Sequence, residues 1–239
     1  MTFPDLSATL RSDASFRANV YEEYHTGRTP LEELSVDLVD QFPLDYMHLI
    51  CLGVMKQLLL FWIKGNIAIR MTKEDYNSSI VELEKFRKFI HQRDFSRMPR
   101  SLQEIDRWKA SEFRQFLLYT GPIILKNKLK DDQYTHFMSL HCAVRILTCE
   151  KLCLEYNEYA KQLLKYFVEN FDLLYGPEYI GHNVHNLIHI PNDAVRFGVL
   201  DNFSAFKFEN HMSEIKNMLK TSNRPLEQFI NRTFEKRAY

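Results

Sequence analysis

Glycine and proline are scarce: 7 Gly and 8 Pro stand in 239 residues, against 18 Phe and 12 Tyr. Few turn-formers and many bulky side chains argue against a many-stranded β-sandwich and for long helices. Cysteine is scarce too. Cys51, Cys142, Cys149 and Cys153 do not make a disulfide framework at this length, and without a CxxC pair a zinc ribbon is excluded. Cys142, Cys149 and Cys153 follow at spacings of seven and four, which sets them on one helical stripe as small core residues. A reducing compartment suits that usage. Net charge is lacking, because 31 basic side chains cancel 31 acidic ones. That rules out a histone-like polycation or an acidic solvating tail. The opening MTFPDLSATLRSDASF has no apolar h-region, so no secretory signal is expected. The longest uninterrupted apolar run, Leu58 to Ile63, is too short to span a bilayer. These features point to a soluble intracellular protein with no membrane partner and no small-molecule cofactor.

What is present is a composition that can bury a core: 45% apolar and 26% charged residues. Residues 1–43 read as irregular, punctuated by Pro4, Pro30 and Pro43. Residues 44–236 read as one mostly helical domain. Asp45 to Lys64 is apolar on nearly all sides, the mark of a buried helix, and its first turn starts at an acid. Thr72-Lys-Glu-Asp75 opens a second helix with a capping-box-like motif, and Ile80, Leu83, Phe86 and Ile90 give its stripe. A helix from about Lys109 to Lys126 should kink or break at Gly121-Pro122. Residues 131–150 and 155–174 are two further helices, and 182–197 a third, interrupted near Pro191. Asp201 to Phe208, aromatic and alternating, reads as a strand or an extended loop. Glu209 to Lys220 and Pro225 to Lys236 close the chain as helices.

Three constellations could carry chemistry. Asp45-x-x-His48 puts a carboxylate and an imidazole on one helical face. His185-x-x-x-His189 is a workable metal pair. Together the four make a tetrahedral zinc set if their helices meet; capping, hydrogen bonding or core packing is the plain alternative. Asn186 follows the first His where a zincin would carry Glu, so the pair is not that motif. Glu209, after an aromatic segment, is either a helix N-terminal acid or one carboxylate of a two-metal site. Residues 85–109 hold eight basic and three acidic side chains. Arg93, Arg97, Arg100 and Lys109 in that stretch are candidate contacts to nucleic-acid phosphates. No Gly-rich phosphate loop, GxSxG or C2H2 finger occurs, and no Cys has a nearby base.

The segment Phe42-Pro-Leu-Asp-Tyr-Met-His-Leu-Ile-Cys-Leu-Gly-Val-Met-Lys56 resembles transposases of the CACTA (En/Spm-like) group and their domesticated insect and vertebrate relatives. So do Arg100-Ser-Leu, Trp108-Lys-Ala-Ser-Glu-Phe-Arg114 and Phe116-Leu-Leu-Tyr119. So do Asn183-Val-His185-x-x-x-His189 and Ser204-Ala-Phe-Lys-Phe-Glu-Asn210 with Ile215-Lys216. The likeness runs from about Pro30 to Arg232. It implies an RNase H-like DDE domain interrupted by a helical insertion, here about 70–180, with a C-terminal lobe about 181–236 and at most a few short strands. Glu209 matches the last acid of the family's triad. Asp45 and His48 match its DxxH string, and His185 and His189 its HxxxH pair; by analogy with the related vertebrate immune recombinase, such residues could share a structural Zn2+. The resemblance also implies DNA as partner, self-association and a nuclear location. The family's first two catalytic Asp lie upstream of DxxH, and residues 1–44 offer no strand-like context for them. The expectation is therefore a transposase-derived, catalytically incomplete chain, in which Mg2+ would bind only if the ancestral site were completed. A DDE-type nuclease subunit and a bare helical scaffold are the alternatives.

Overall fold

In the computed structural model, residues 2–3, 5–20, 27–91 and 93–237 are described, the side chain of the last excepted. The chain is mainly α: 66% of it is helical, and no described residue lies in a strand. Contacts divide it into two compact units, Met1–Phe203 and Ser204–Tyr239.

The first unit is organised around helix α1, a π-helical stretch Met47–Met55 continuing as α-helix Lys56–Lys64. Asp45 caps it, its carboxylate accepting the N–H groups of Met47 (3.2 Å) and His48 (3.0 Å). Half of the helix is buried in the core: Tyr46, Ile50, Cys51, Val54, Met55, Leu58 and Trp62 are inaccessible to solvent. As a whole, Met47–Lys64 is long and apolar enough to cross a membrane, although no single run within it is. Here that apolarity lines a protein core.

Helix α2, Lys73–Arg87, opens as its motif predicts. The Thr72 hydroxyl accepts the Asp75 N–H (3.1 Å) and donates to the Asp75 carboxylate (2.5 Å). Ile80 and Leu83 are buried, with Phe86 and Ile90 half-buried. Helix α3 runs through Ala110–Gln115, a π turn Phe116–Thr120 and Gly121–Ile124. Pro122 has no N–H to bond back along the helix. The chain absorbs the loss by widening: the Gly121 N–H reaches back to the Phe116 carbonyl. A side chain at Gly121 would meet that carbonyl at 2.6 Å.

Helices α4 (Asp131–Leu147) and α5 (Asn157–Glu169) pack side by side, and α6 (Phe171–Tyr175) prolongs the second after a break at Asn170. Trp62 of α1 meets Phe137 of α4 edge-on at 5.7 Å and donates its indole N–H to the Tyr175 hydroxyl (3.2 Å). The cysteine stripe does not form. Helix α4 stops at Leu147, where the Thr148 hydroxyl bonds back to the Val144 carbonyl (2.8 Å), so Cys149 and Cys153 belong to a separate short turn of helix. Cys51 and Cys153 are buried, Cys142 and Cys149 only partly.

The 182–197 segment is interrupted as expected: α7 (His182–His185), a 3-10 turn Asn186–Ile188, then α8 (Ile190–Phe197). The strand or extended loop expected at 201–208 is instead a 3-10 turn, Leu200–Phe203, followed by helix. Phe203 packs on Phe197 at 5.8 Å, and the aromatic alternation does not mark a pleat.

The second unit is two helices, α9 (Phe206–Met218) and α10 (Pro225–Arg237). Gln228 pins the connection between them, its carbonyl accepting the Lys220 N–H (3.0 Å) and its amide donating to the Thr221 hydroxyl (3.0 Å). No residue of α9 is buried.

Candidate functional site

The motif residues of the first unit fall into three clusters, and the exposed basic segment lies next to one of them. The first cluster holds the two histidine pairs. Asp45 bonds the His48 ring as well as capping α1, so DxxH closes on itself as a helix start. His185 and His189 have ring centroids 5.6 Å apart across the 3-10 turn. The His185 Nδ1 meets the Phe3 carbonyl at 3.0 Å. Burial, and then the neighbouring His185, lower the pKa of His189 and favour its neutral form. The helices carrying the two pairs do meet, but through Gly53 of α1 and Asn183 of α7, where a Cβ on Gly53 would stand 2.6 Å from the Asn183 amide nitrogen. Among the described residues no three His, Cys, Asp or Glu side chains are grouped to hold one metal ion. Asp45, His48, His185 and His189 thus stand as two pairs, each held by its own local contacts among the described residues.

The second cluster is a clasp made by the Arg100-Ser-Leu and Trp108-to-Arg114 motifs. The Arg100 guanidinium donates two parallel bonds to the Glu112 carboxylate, Nε to Oε1 (2.8 Å) and Nη2 to Oε2 (2.6 Å). Arg100 also reaches the Arg107 carbonyl, and the Trp108 indole donates to the Ser101 carbonyl (3.1 Å). Glu112 is 1% exposed. Burial by itself would raise its pKa, but the Arg100 bonds and the Lys109 N–H outweigh it and hold the carboxyl below its ordinary value. Arg100 is therefore engaged within the fold rather than open to a ligand.

The third cluster lies under α1 and α3. Arg114 donates to Asp201 (2.7 Å) beside Tyr46 and Cys51, both inaccessible. Burial pushes the Cys51 thiol up to about 12 and the Tyr46 phenol well above its usual range. A thiol held protonated is no nucleophile, and Cys142 and Cys153 are raised by burial as well.

Beside the clasp, a cleft of about 540 Å³ opens between the C-terminal end of α2 and the Leu102–Arg107 turn. Arg87, Lys88 and Arg100 line it together with Glu84 and Glu104. Arg87 and Lys88 are exposed, and cations at the C-terminal end of a helix are favoured by its dipole. The irregular segment between α2 and the turn carries Arg93 and Arg97, both exposed, as is Lys109. Of the four proposed phosphate contacts, three are thus exposed, and the fourth, Arg100, is half-buried with its guanidinium paired to Glu112.

Comparison with protein-family models, with curated proteins and with solved structures finds no match. The transposase likeness accordingly rests on the motifs themselves. Glu209 lies in the second unit, exposed in the first turn of α9, its N–H bonded to the Ala205 carbonyl (2.8 Å). That is the position of a helix N-terminal acid.

One residue escaped the sequence reading. His136 on α4 is fully buried, stacked on Phe167 (4.0 Å between centroids, 21° between planes) and near Phe171 and Tyr175. Its Nε2 meets the Phe167 carbonyl at 2.7 Å, while its Nδ1 has no hydrogen-bond partner among the described residues. Burial pulls its pKa down to about 4. The signal was there in the spacing of His136, Leu140, Ala143 and Leu147.

Proposed function

We propose that this chain is a transposase-derived, helical DNA-associating module that binds phosphates through its 85–109 segment and does not itself cut strands. On this reading the helices are the insertion and C-terminal lobe of an interrupted RNase H-like domain. The observation that carries it is a division of labour between the motif residues and the basic segment beside them. Asp45, Gly53, Asn183, Arg100, Glu112 and Arg114 are engaged in caps, close helix contacts and partly buried ion pairs. Arg87, Lys88, Arg93, Arg97 and Lys109 are left in water on a stretch that is locally strongly basic in a neutral chain. Clustered exposed cations of this kind release counterions from a nucleic-acid backbone, a sequence-independent interaction that weakens as salt rises. Fluorescence anisotropy on duplex DNA at low salt tests the binding, and its loss in the triple variant Arg93→Ala/Arg97→Ala/Lys109→Ala is the expected result. Absence of binding at low salt removes the reading. Mg2+- or Mn2+-dependent cleavage abolished by Glu209→Gln would replace it with an enzymatic one.

A further inference from the structure

We propose that the cleft beside the clasp holds an unpaired nucleobase, and that the strand gripped by this protein is single-stranded DNA. The proposal rests on the phosphate-binding reading of the 85–109 segment and narrows it to one form of the ligand. Two kinds of surface line the cleft. Leu83 and Pro99 are buried and Met98 is half-buried, which makes one part apolar, while Glu84 and Glu104 bring exposed carboxylates. Its volume of about 540 Å³ lies within the roughly 300–1,000 Å³ of ordinary small-molecule sites. A bare phosphate has no use for such a cleft, since two acids repel it and apolar groups do not solvate it. A duplex has none either, because its bases are already stacked and paired. An unpaired base suits both surfaces: its ring faces meet the apolar part and its amino hydrogens go to a carboxylate. The phosphates on either side of it meet the exposed Arg87 and Lys88.

An aromatic ring stands next in the chain. Phe89 is 79% exposed and follows Arg87 and Lys88 directly. A lone exposed Phe needs no explanation. One set among exposed cations is the combination that single strands use, a base stacking on the ring while the cations follow its backbone. The segment carrying it is seated on the fold. Phe95 meets Tyr119 of α3 edge-on at 5.2 Å, and Arg145 of α4 lies over the Tyr119 ring at 5.4 Å. Arg145 is itself exposed, so the fold brings to the segment a cation that stands far from it in sequence. Groups ordered before the strand arrives lose less entropy on binding.

Counterion release makes the two forms of DNA separable. The salt slope per phosphate contact is about 0.9 for a duplex and about 0.7 for a single strand, so charge alone favours the duplex. A preference for the single strand therefore has to come from its bases.

Anisotropy titrations of the full chain at one low salt concentration compare oligo(dC), oligo(dT) and a duplex of the same length. Oligo(dC) should bind at least about tenfold tighter than the duplex. It should also bind tighter than oligo(dT), whose base lacks the amino group. Phe89→Ala should weaken oligo(dC) binding about tenfold and leave the duplex unchanged, and Phe89→Trp should restore it. Glu84→Ala/Glu104→Ala should erase the preference for oligo(dC) over oligo(dT) while strengthening duplex binding, because two negative charges are removed; a merely structural role would weaken both. A duplex bound as tightly as oligo(dC), and weakened by Arg93→Ala/Arg97→Ala/Lys109→Ala, overturns this proposal and leaves the phosphate reading standing. Absence of binding to all three ligands removes both. An oligo(dC) preference indifferent to Phe89→Ala and to loss of the two acids overturns the proposal as well. So does capture of a lysine-rich peptide in preference to oligo(dC), which gives the cleft to a protein instead.

Discussion

Lowering the pH should destabilise this protein through His136. In the unfolded chain its imidazole takes a proton near pH 6.5; in the aromatic pocket it takes one only near pH 4. Between those values the unfolded state binds a proton that the folded state refuses, so stability rises with pH across the window. The contribution is fully present above pH 6.5, declines as pH falls and levels off below about 4. At 1.36 kcal/mol per pKa unit, the loss between pH 7 and pH 4.5 is roughly 2.5 kcal/mol, a large share of the stability of an ordinary domain. Asp132 acts weakly the other way, favouring the charged form. His141 and His189, also lowered by burial, add loss of the same sign. The contribution of His136 is therefore isolated by comparison with His136→Gln, whose amide can still donate to the Phe167 carbonyl. Urea unfolding at pH 7.0, 5.5 and 4.5 should show wild type losing roughly 2.5 kcal/mol more than the variant. NMR titration gives the direct reading, in which the His136 ring stays neutral to well below pH 5. An imidazole that titrates near 6.5 in the folded protein would refute the reasoning.

Glu112→Gln should cost about 2–3 kcal/mol in urea unfolding, because it leaves the Arg100 guanidinium facing a neutral amide inside the clasp; Arg100→Met/Glu112→Leu should recover most of it. Gly53→Ala should lower the melting temperature despite a helix-propensity gain of about 1 kcal/mol, since its methyl meets the Asn183 side chain at 2.6 Å and the His48 carbonyl at 3.0 Å; adding Asn183→Ala should recover part of the loss. Asp45→Ala should cost about 1 kcal/mol in urea unfolding through loss of the α1 cap.

Helices were legible wherever a single face repeated at the helical period. Thr72 with Asp75 marked one start, Asp45 another, and Ile80 and Leu83 one buried stripe, because caps and amphipathic spacing are local properties. Legibility failed where a long-range partner decided the outcome. Arg100 stands among exposed cations in sequence, and nothing local says that Glu112 takes its charge. Asp201 in an aromatic run resembled a strand edge; Arg114 from α3 holds it in a tight turn. The cysteine stripe failed because the backbone turns extended at Cys149, between the helix that carries Cys142 and the short turn that carries Cys153. The His136 pocket was hidden because its rings come from other helices: Phe167 of α5 and Phe171 and Tyr175 of α6 close over it.

The proposal that the 85–109 segment reads phosphates is tested most directly by the salt dependence of DNA affinity. Anisotropy titrations of wild type and of Arg93→Ala/Arg97→Ala/Lys109→Ala across a salt series give two slopes of log affinity against log salt. Each phosphate contact contributes about 0.9 to the slope, so the variant's should be shallower by about 2 to 3. Equal slopes, or no measurable affinity for either protein at low salt, would contradict the account.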